Sequence, residues 1–166
     1  ALLLPGLTLV ISPLISLMQD QVKGLNAAGI HAAFINSSLT ETQIARALDL
    51  AAEGSYKLVY VAPERLESPV FRSFAAGADI SMVTVDEAHC ISQWGQDFRP
   101  SYLKILDFID SLPRRPIVSA FTATATREVK DDIVCTLRLH DPKVLVTGFD
   151  RPNLYFQVER TRRKDD

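Results

Sequence analysis

Two adjacent carboxylates, Asp86 and Glu87, follow the short apolar run Met82-Val83-Thr84-Val85 and precede Ala88-His89. In nucleotide hydrolysis one carboxylate holds the Mg²⁺ that bridges the β- and γ-phosphates, while a second group orients or deprotonates the attacking water. Asp86 suits the first task and Glu87 the second. Small β-branched residues running straight into charge read as a buried strand with an abrupt end, and in open parallel sheets ligands bind just beyond the carboxyl ends of the strands. The same two acids would also suit the start of a following helix, where the dipole favours negative charge. Taken alone, the pair leaves both readings open.

The residues behind the acids, Ile91-Ser92-Gln93-Trp94-Gly95-Gln96-Asp97-Phe98-Arg99-Pro100, show no clear period. An aromatic-rich loop beside a catalytic edge can stack on nucleic-acid bases, with a cation to meet phosphate. Trp94 and Phe98 are the stacking candidates and Arg99 the phosphate candidate. Aromatic rings more often anchor a loop into the core, and Phe98 is expected to do so, whereas Trp94 is open to either use.

Positioning such a site requires a particular scaffold, and the pattern supplies one. Residues 7–11 form a β-branched run closed by Ser12-Pro13, which reads as a strand followed by a helix with Ser at its cap. Leu14, Leu17, Met18, Val22 and Leu25 then line one helical face as far as Gly29. Residues 32–35 read as a second strand. Thr40 with Gln43 makes a capping box for a helix whose face is Ile44, Ala47, Leu48 and Ala51. A third strand spans 57–62, a short irregular helical piece 70–75, and the central strand ends at the acids. Residues 102–112 are expected helical, with Leu103, Leu106 and Ile109 aligned. Strands are expected at 117–121 and 144–146, with a helix over 127–139 carrying Val129, Ile133, Val134 and Leu137. Alternating strands and helices with short links imply right-handed crossovers and an α/β fold, a parallel sheet with helices on both faces.

The 166 residues suffice for one compact domain. A hydrophobic fraction of 47% and a charged fraction of 23% are those of an ordinary globular chain and exclude a disordered or fibrous one. The net charge of −2 gives no global attraction to polyanions, so any nucleic-acid contact must be local. No apolar run could span a bilayer and no secretory signal is evident, which makes no membrane partner and a cytosolic default the expectation. Cys90 and Cys135 lie too far apart for a Cys-x-x-Cys site, and three scattered His cannot complete a zinc cluster, so both thiols are expected reduced and partly buried. The cluster Arg160, Arg162, Arg163 and Lys164 is expected to be a solvated tail.

Asp86-Glu87-Ala88-His89 resembles the Walker B motif of superfamily 2 helicases. Extended through Cys90-Ile91-Ser92-Gln93-Trp94-Gly95 and Asp97-Phe98-Arg99-Pro100, it closely resembles the RecQ family of DNA helicases, and the resemblance covers nearly the whole chain. Residues 10–22 look like motif Ia, 60–66 like motif Ib, 119–125 like motif III, and 148–153 like the crossing into a second domain. Gln96 departs from the His that the family often has there. The resemblance implies a RecA-like first domain over 1–150, with 151–166 as linker and start of a second RecA-like domain. It also implies a 3′-to-5′ DNA-unwinding motor driven by ATP and Mg²⁺, serving replication, recombination and repair. Its partners would be DNA, both single strands and duplex junctions, and the rest of the helicase chain. It would work in the nucleoid of a bacterium or the nucleus of a eukaryote.

Carried over by position, Asp86 would bind the metal and Glu87 activate water. His89, Trp94, Phe98 and Arg99 would link DNA contact to hydrolysis, and Ser119, Thr122 and Thr124 would relay the nucleotide state. Ser12, Pro63 and Glu64 would help seat the DNA backbone. Read without the family, these last residues are helix caps, loop closures and ordinary strand hydroxyls. Two other functions remain in play: a DEAH-type RNA helicase, and a catalytically silent module binding single strands through the aromatic loop.

No Gly-x-x-x-x-Gly-Lys-Ser/Thr phosphate loop occurs. Residues 1–5 look like the tail of the helix that would follow one, so the RecA-like sheet is expected to lack its phosphate-loop strand and helix. The chain by itself is therefore expected not to hydrolyse ATP. DNA-stimulated turnover by the purified chain, abolished by Glu87→Gln, would overturn that.

Overall fold

The structure, a computed structural model, describes residues 1–95, 97–147, 153–155 and 157–158. Gln96, the domain crossing at 148–152 and the basic cluster Arg160, Arg162, Arg163 and Lys164 lie outside the described residues, as does the proposed boundary after residue 150.

Strands β1 (Leu7–Ile11), β2 (Ala32–Ile35), β3 (Leu58–Val61), β4 (Ile80–Val85) and β5 (Ile117–Ala120) form one parallel sheet in the order β2-β3-β1-β4-β5. Helices α1 (Ile15–Ala27), α2 (Glu41–Ala52), α3 (Pro69–Gly77), α4 (Lys104–Asp110) and α5 (Arg127–Thr136) connect and follow them, with 3-10 turns at Pro63–Glu67, Ala88–Ile91 and Pro100–Leu103.

Side chains alternate across a strand, and β1 and β3 are buried on both faces, which is why they read as continuous apolar runs, whereas Ile117 of β5 is exposed. Leu9, Ile11, Val59, Val61, Val83 and Val85 pack against buried residues of α2, α3, α4 and α5. Val10, Leu58 and Tyr60 turn the other way, onto Met18 and Val22 of α1. The capping box of α2 is present, with Gln43 N donating to Thr40 Oγ1 at 3.3 Å and Thr40 N donating to Gln43 Oε1 at 2.9 Å.

Four expectations change. First, α1 starts at Ile15 with Leu14 as its cap residue, so Ser12 is not the cap; Leu17 is exposed. Second, the buried face of α4 is Ile105, Phe108 and Ile109, while Leu103 is exposed. The preceding 3-10 turn advances about 3.0 residues per turn rather than 3.6 and rotates the phase. Third, residues 144–146 are irregular and exposed; a strand needs a paired neighbour, and β5 is the last strand of the sheet among the described residues. Finally, Cys90 is buried as expected, whereas Cys135 is exposed; both are free thiols.

Candidate functional site

The chain leaves β1 toward β2 on one side, yet β4 and β5 lie on the other side of β1. The carboxyl ends of β1 and β4 therefore flank a topological switch point, the crevice where open α/β sheets bind ligands. The ladder runs past the strands there: Asp86 N donates to Ile11 O at 2.8 Å, Phe121 N to Val85 O at 2.8 Å and Ala88 N to Phe121 O at 2.9 Å. Ser12, Asp86 and Thr122 are thereby aligned along one edge.

Ser12 is fully buried, and its Oγ donates to Asp86 Oδ2 at 3.1 Å, while Glu87 N donates to Asp86 Oδ1 at 3.0 Å. Each carboxylate oxygen keeps a lone pair free, so Asp86 is oriented yet still able to take a further donor or cation. The Ser12 hydroxyl, expected from the family resemblance to help seat DNA, is committed to Asp86 here. Pro63 is likewise buried, opening the turn Pro63–Glu67. Glu64 is exposed and accepts from Ser101 Oγ at 3.2 Å, tying that turn to the far end of the aromatic loop.

Glu87 has φ 47° and ψ 45°, the left-handed region, which costs a residue with a Cβ about 1–2 kcal/mol. The conformation turns the chain sharply into Ala88–Ile91 and sets Glu87 Oε2 3.3 Å from His89 Nδ1. The same nitrogen lies 2.8 Å from Thr122 Oγ1. Thr122 Oγ1 in turn lies 3.1 Å from Thr124 O, to which its hydroxyl can donate. Glu87, His89, Thr122 and Thr124 thus form one connected chain. Ser119 meets Thr84 Oγ1 at 3.0 Å across the β4–β5 pair, off that chain.

In the aromatic loop Trp94 is 79% exposed. Phe98 is half-buried and outside the core clusters, so the expected core anchor is only partial. Arg99 is paired with Asp97, at 3.0 Å from Nε and 2.7 Å from Nη2, and this hydrogen bond raises its already high pKa. A phosphate meeting Arg99 would compete with Asp97.

Several residues that hold the site escaped sequence reasoning. Tyr102 is completely buried and donates its hydroxyl to Asp86 O at 2.9 Å; burial, chiefly, pushes its pKa up. Asp132 accepts from Ser92 Oγ at 2.6 Å. Gly95 is the third: a Cβ built on it would lie 2.3 Å from His89 O. The partners of Tyr102 and Asp132 lie 16 and 40 residues away, and only Gly95 carried a signal, as a small residue in a loop. Gly95→Ala must therefore shift the loop backbone, and the emission of Trp94, the single tryptophan, is expected to change with it; an unchanged spectrum in a folded variant would show that the loop tolerates the displacement.

The buried Cys90 thiol is pushed up to about 11, by burial first and then by the negative Asp97, against the opposing Arg99. Its folded pKa exceeds the unfolded one, so the stability it contributes is present below the ordinary thiol pKa and lost as pH rises toward 11. At pH 8 iodoacetamide is expected to label Cys135 alone in the native chain and both thiols in urea. Equal native rates would contradict the burial of Cys90.

A cavity of about 700 Å³ lies at the opposite end of the sheet, beside Leu7, His31, Tyr56, Lys57 and Asp79. It shares no residue with this edge. Among the described residues no group of three or more His, Cys, Asp and Glu could hold a metal by itself, and no helix is long and apolar enough to cross a membrane.

The DEAD/DEAH box helicase family model matches residues 3–132. The chain is 50% identical over 165 residues to the ATP-dependent DNA helicase RecQ of Bacillus subtilis, covering 99% of this chain and 28% of that protein. It is 40% identical over 154 residues to the bifunctional 3′-5′ exonuclease/ATP-dependent helicase WRN of Mus musculus, covering 92% of this chain and 11% of that one. In fold it is similar to the Hef helicase domain of Pyrococcus furiosus, with a TM-score of 0.59 at 17% identity over 81% of this chain and 28% of that one. The chain thus spans little more than a quarter of the RecQ protein it matches.

Proposed function

The chain belongs to the DEAD/DEAH box helicase family, and on that premise we propose that it is the RecA-like first domain of an ATP-dependent 3′-to-5′ DNA helicase acting in replication, recombination and repair. The observation that carries the reading is the connected edge itself. Asp86, oriented by Ser12, lies one residue from the Glu87–His89–Thr122 chain, and the same segment continues into a loop that exposes Trp94.

In this reading Asp86 would hold Mg²⁺ and Glu87 would take a proton from the attacking water. A single carboxylate fits Mg²⁺, which is held by one or two carboxylates together with phosphates and waters. Bound there, the ion would neutralise charge on the β- and γ-phosphates. His89 and Thr122 connect Glu87 to the segment that follows β5, with Thr124 beside it, while Ser119 braces Thr84. Trp94 and Phe98 meet bases, Arg99 meets phosphate in exchange with Asp97, and Glu64 holds the loop end through Ser101. The phosphate loop and the second RecA-like domain are supplied by the rest of the helicase polypeptide, and the protein works where the chromosome is.

DNA rather than RNA is favoured by the residues from Ser92 to Pro100 and by the names of the relatives. The test is a titration of Trp94 fluorescence with single-stranded DNA and RNA at low and high salt. A saturable, salt-weakened response preferring DNA supports the reading. Preference for RNA would point to a DEAH-type RNA helicase. DNA binding without ATP turnover by the intact polypeptide would leave a silent single-strand-binding module.

A further inference from the structure

Ser92 begins the aromatic loop and is only 1% exposed. Its hydroxyl has a single proton, which goes to Asp132 Oδ2 at 2.6 Å. The oxygen lone pairs then face Trp94 N, which donates to Ser92 Oγ at 3.1 Å, while Ser92 O accepts from Gly95 N at 3.0 Å. Asp132 lies on α5, next to Ile133, which is buried in the core. The carboxylate is therefore borne by a rigid element. The amino end of that element is capped by Thr126, whose Oγ1 accepts from Val129 N at 3.3 Å, two residues beyond Thr124.

The segment after β4 and the segment after β5 are thus tied by two side-chain hydrogen bonds, in addition to the backbone bond from Ala88 N to Phe121 O. One tie is His89 to Thr122, at the nucleotide edge; the other is Ser92 to Asp132, at the root of the loop. A buried serine hydroxyl without Asp132 could rotate, and its lone pairs would no longer be aimed at the Trp94 amide.

We propose that Asp132 is a positioning residue: it orients the Ser92 hydroxyl and so holds the backbone of Trp94, setting the indole where it can stack on a nucleic-acid base. The stacking part rests on the helicase reading; the holding of Trp94 does not. Motion of the segment after β5 would then be passed to the DNA-facing loop through α5 as well as through His89.

The test uses the full chain, in which Trp94 is the only tryptophan. Time-resolved fluorescence anisotropy without DNA is expected to show the amplitude of local indole motion rising roughly twofold in Asp132→Ala and in Ser92→Ala. Asp132→Asn, whose amide oxygen still accepts from Ser92, is expected to restore the native amplitude. Single-stranded DNA affinity should fall about tenfold in the two alanine variants and recover in the Asn variant, about the worth of one stacked base. Far-UV circular dichroism checks folding, and Ser92→Ala decides the matter if Asp132→Ala does not fold. Unchanged indole motion in the folded alanine variants overturns the proposal. An Asn variant as loose as the Ala variant overturns it too, because charge rather than the hydrogen bond would then be at work. If wild type ignores DNA, the nucleic-acid reading falls, while the anisotropy comparison still decides the role of Asp132.

Discussion

Glu87→Gln in the intact helicase polypeptide is expected to lower DNA-stimulated ATP turnover by about 10²–10⁴-fold, the range for loss of a positioned general base. The amide keeps the size of the carboxylate but cannot take a proton from water. The substitution should leave the fold in place, since the Glu87 side chain is 28% exposed and, among the described residues, its ionic contact is to His89 alone. The left-handed backbone is also retained, because Gln carries the same Cβ. Nucleotide binding should persist, as the Asp86 carboxylate keeps its hydrogen bonds from Ser12 and from the Glu87 amide. The signature is thus a collapse of kcat with nucleotide affinity little changed, read by steady-state turnover beside equilibrium binding of a fluorescent nucleotide. Turnover near wild type would remove Glu87 from the water-activating role. Loss of nucleotide binding in parallel would mean that the residue acts by holding Asp86.

The largest stability effect is expected at Phe108. It is fully buried on α4, its ring centroid 5.7 Å from that of Phe71, which in turn lies 5.9 Å from Phe74. Removing it leaves a cavity between α3 and α4 under the sheet face that carries Val83 and Val85. Phe108→Ala is expected to cost about 3–5 kcal/mol in urea denaturation. That would consume much of the roughly 5–15 kcal/mol typical of a domain. Phe98→Ala, at a half-buried loop position, should cost far less. A loss below about 1 kcal/mol at Phe108 would mean that α3 and α4 close over the gap. The two variants together separate rings that hold the fold from rings left available for binding.

Run length and local chemistry were enough for much of this architecture. The strands β1 to β5 are legible because apolar stretches of four to six residues are too short for helices. The start of α2 is legible because Thr40 and Gln43 satisfy each other within one turn. Asp86 and Glu87 stand out because charge directly after a buried strand can only lie at its end. Whatever depended on a partner far along the chain stayed hidden. Ser12 obeys the local rule for a cap, yet Asp86, 74 residues away, takes its hydroxyl. Tyr102 reads as the first residue of a helix, and only the fold brings its hydroxyl to Asp86 O. Asp132 reads as one more charge on an amphipathic helix until Ser92, 40 residues earlier, is set against it. Residues 144–146 have strand composition, yet no strand pairs with them among the described residues. Pattern reports which face of a segment is apolar, because burial selects residue type one position at a time. Hydrogen-bond partners and strand pairing are properties of two segments at once, so they were settled only when the sheet order brought the ends of β1, β4 and β5 together.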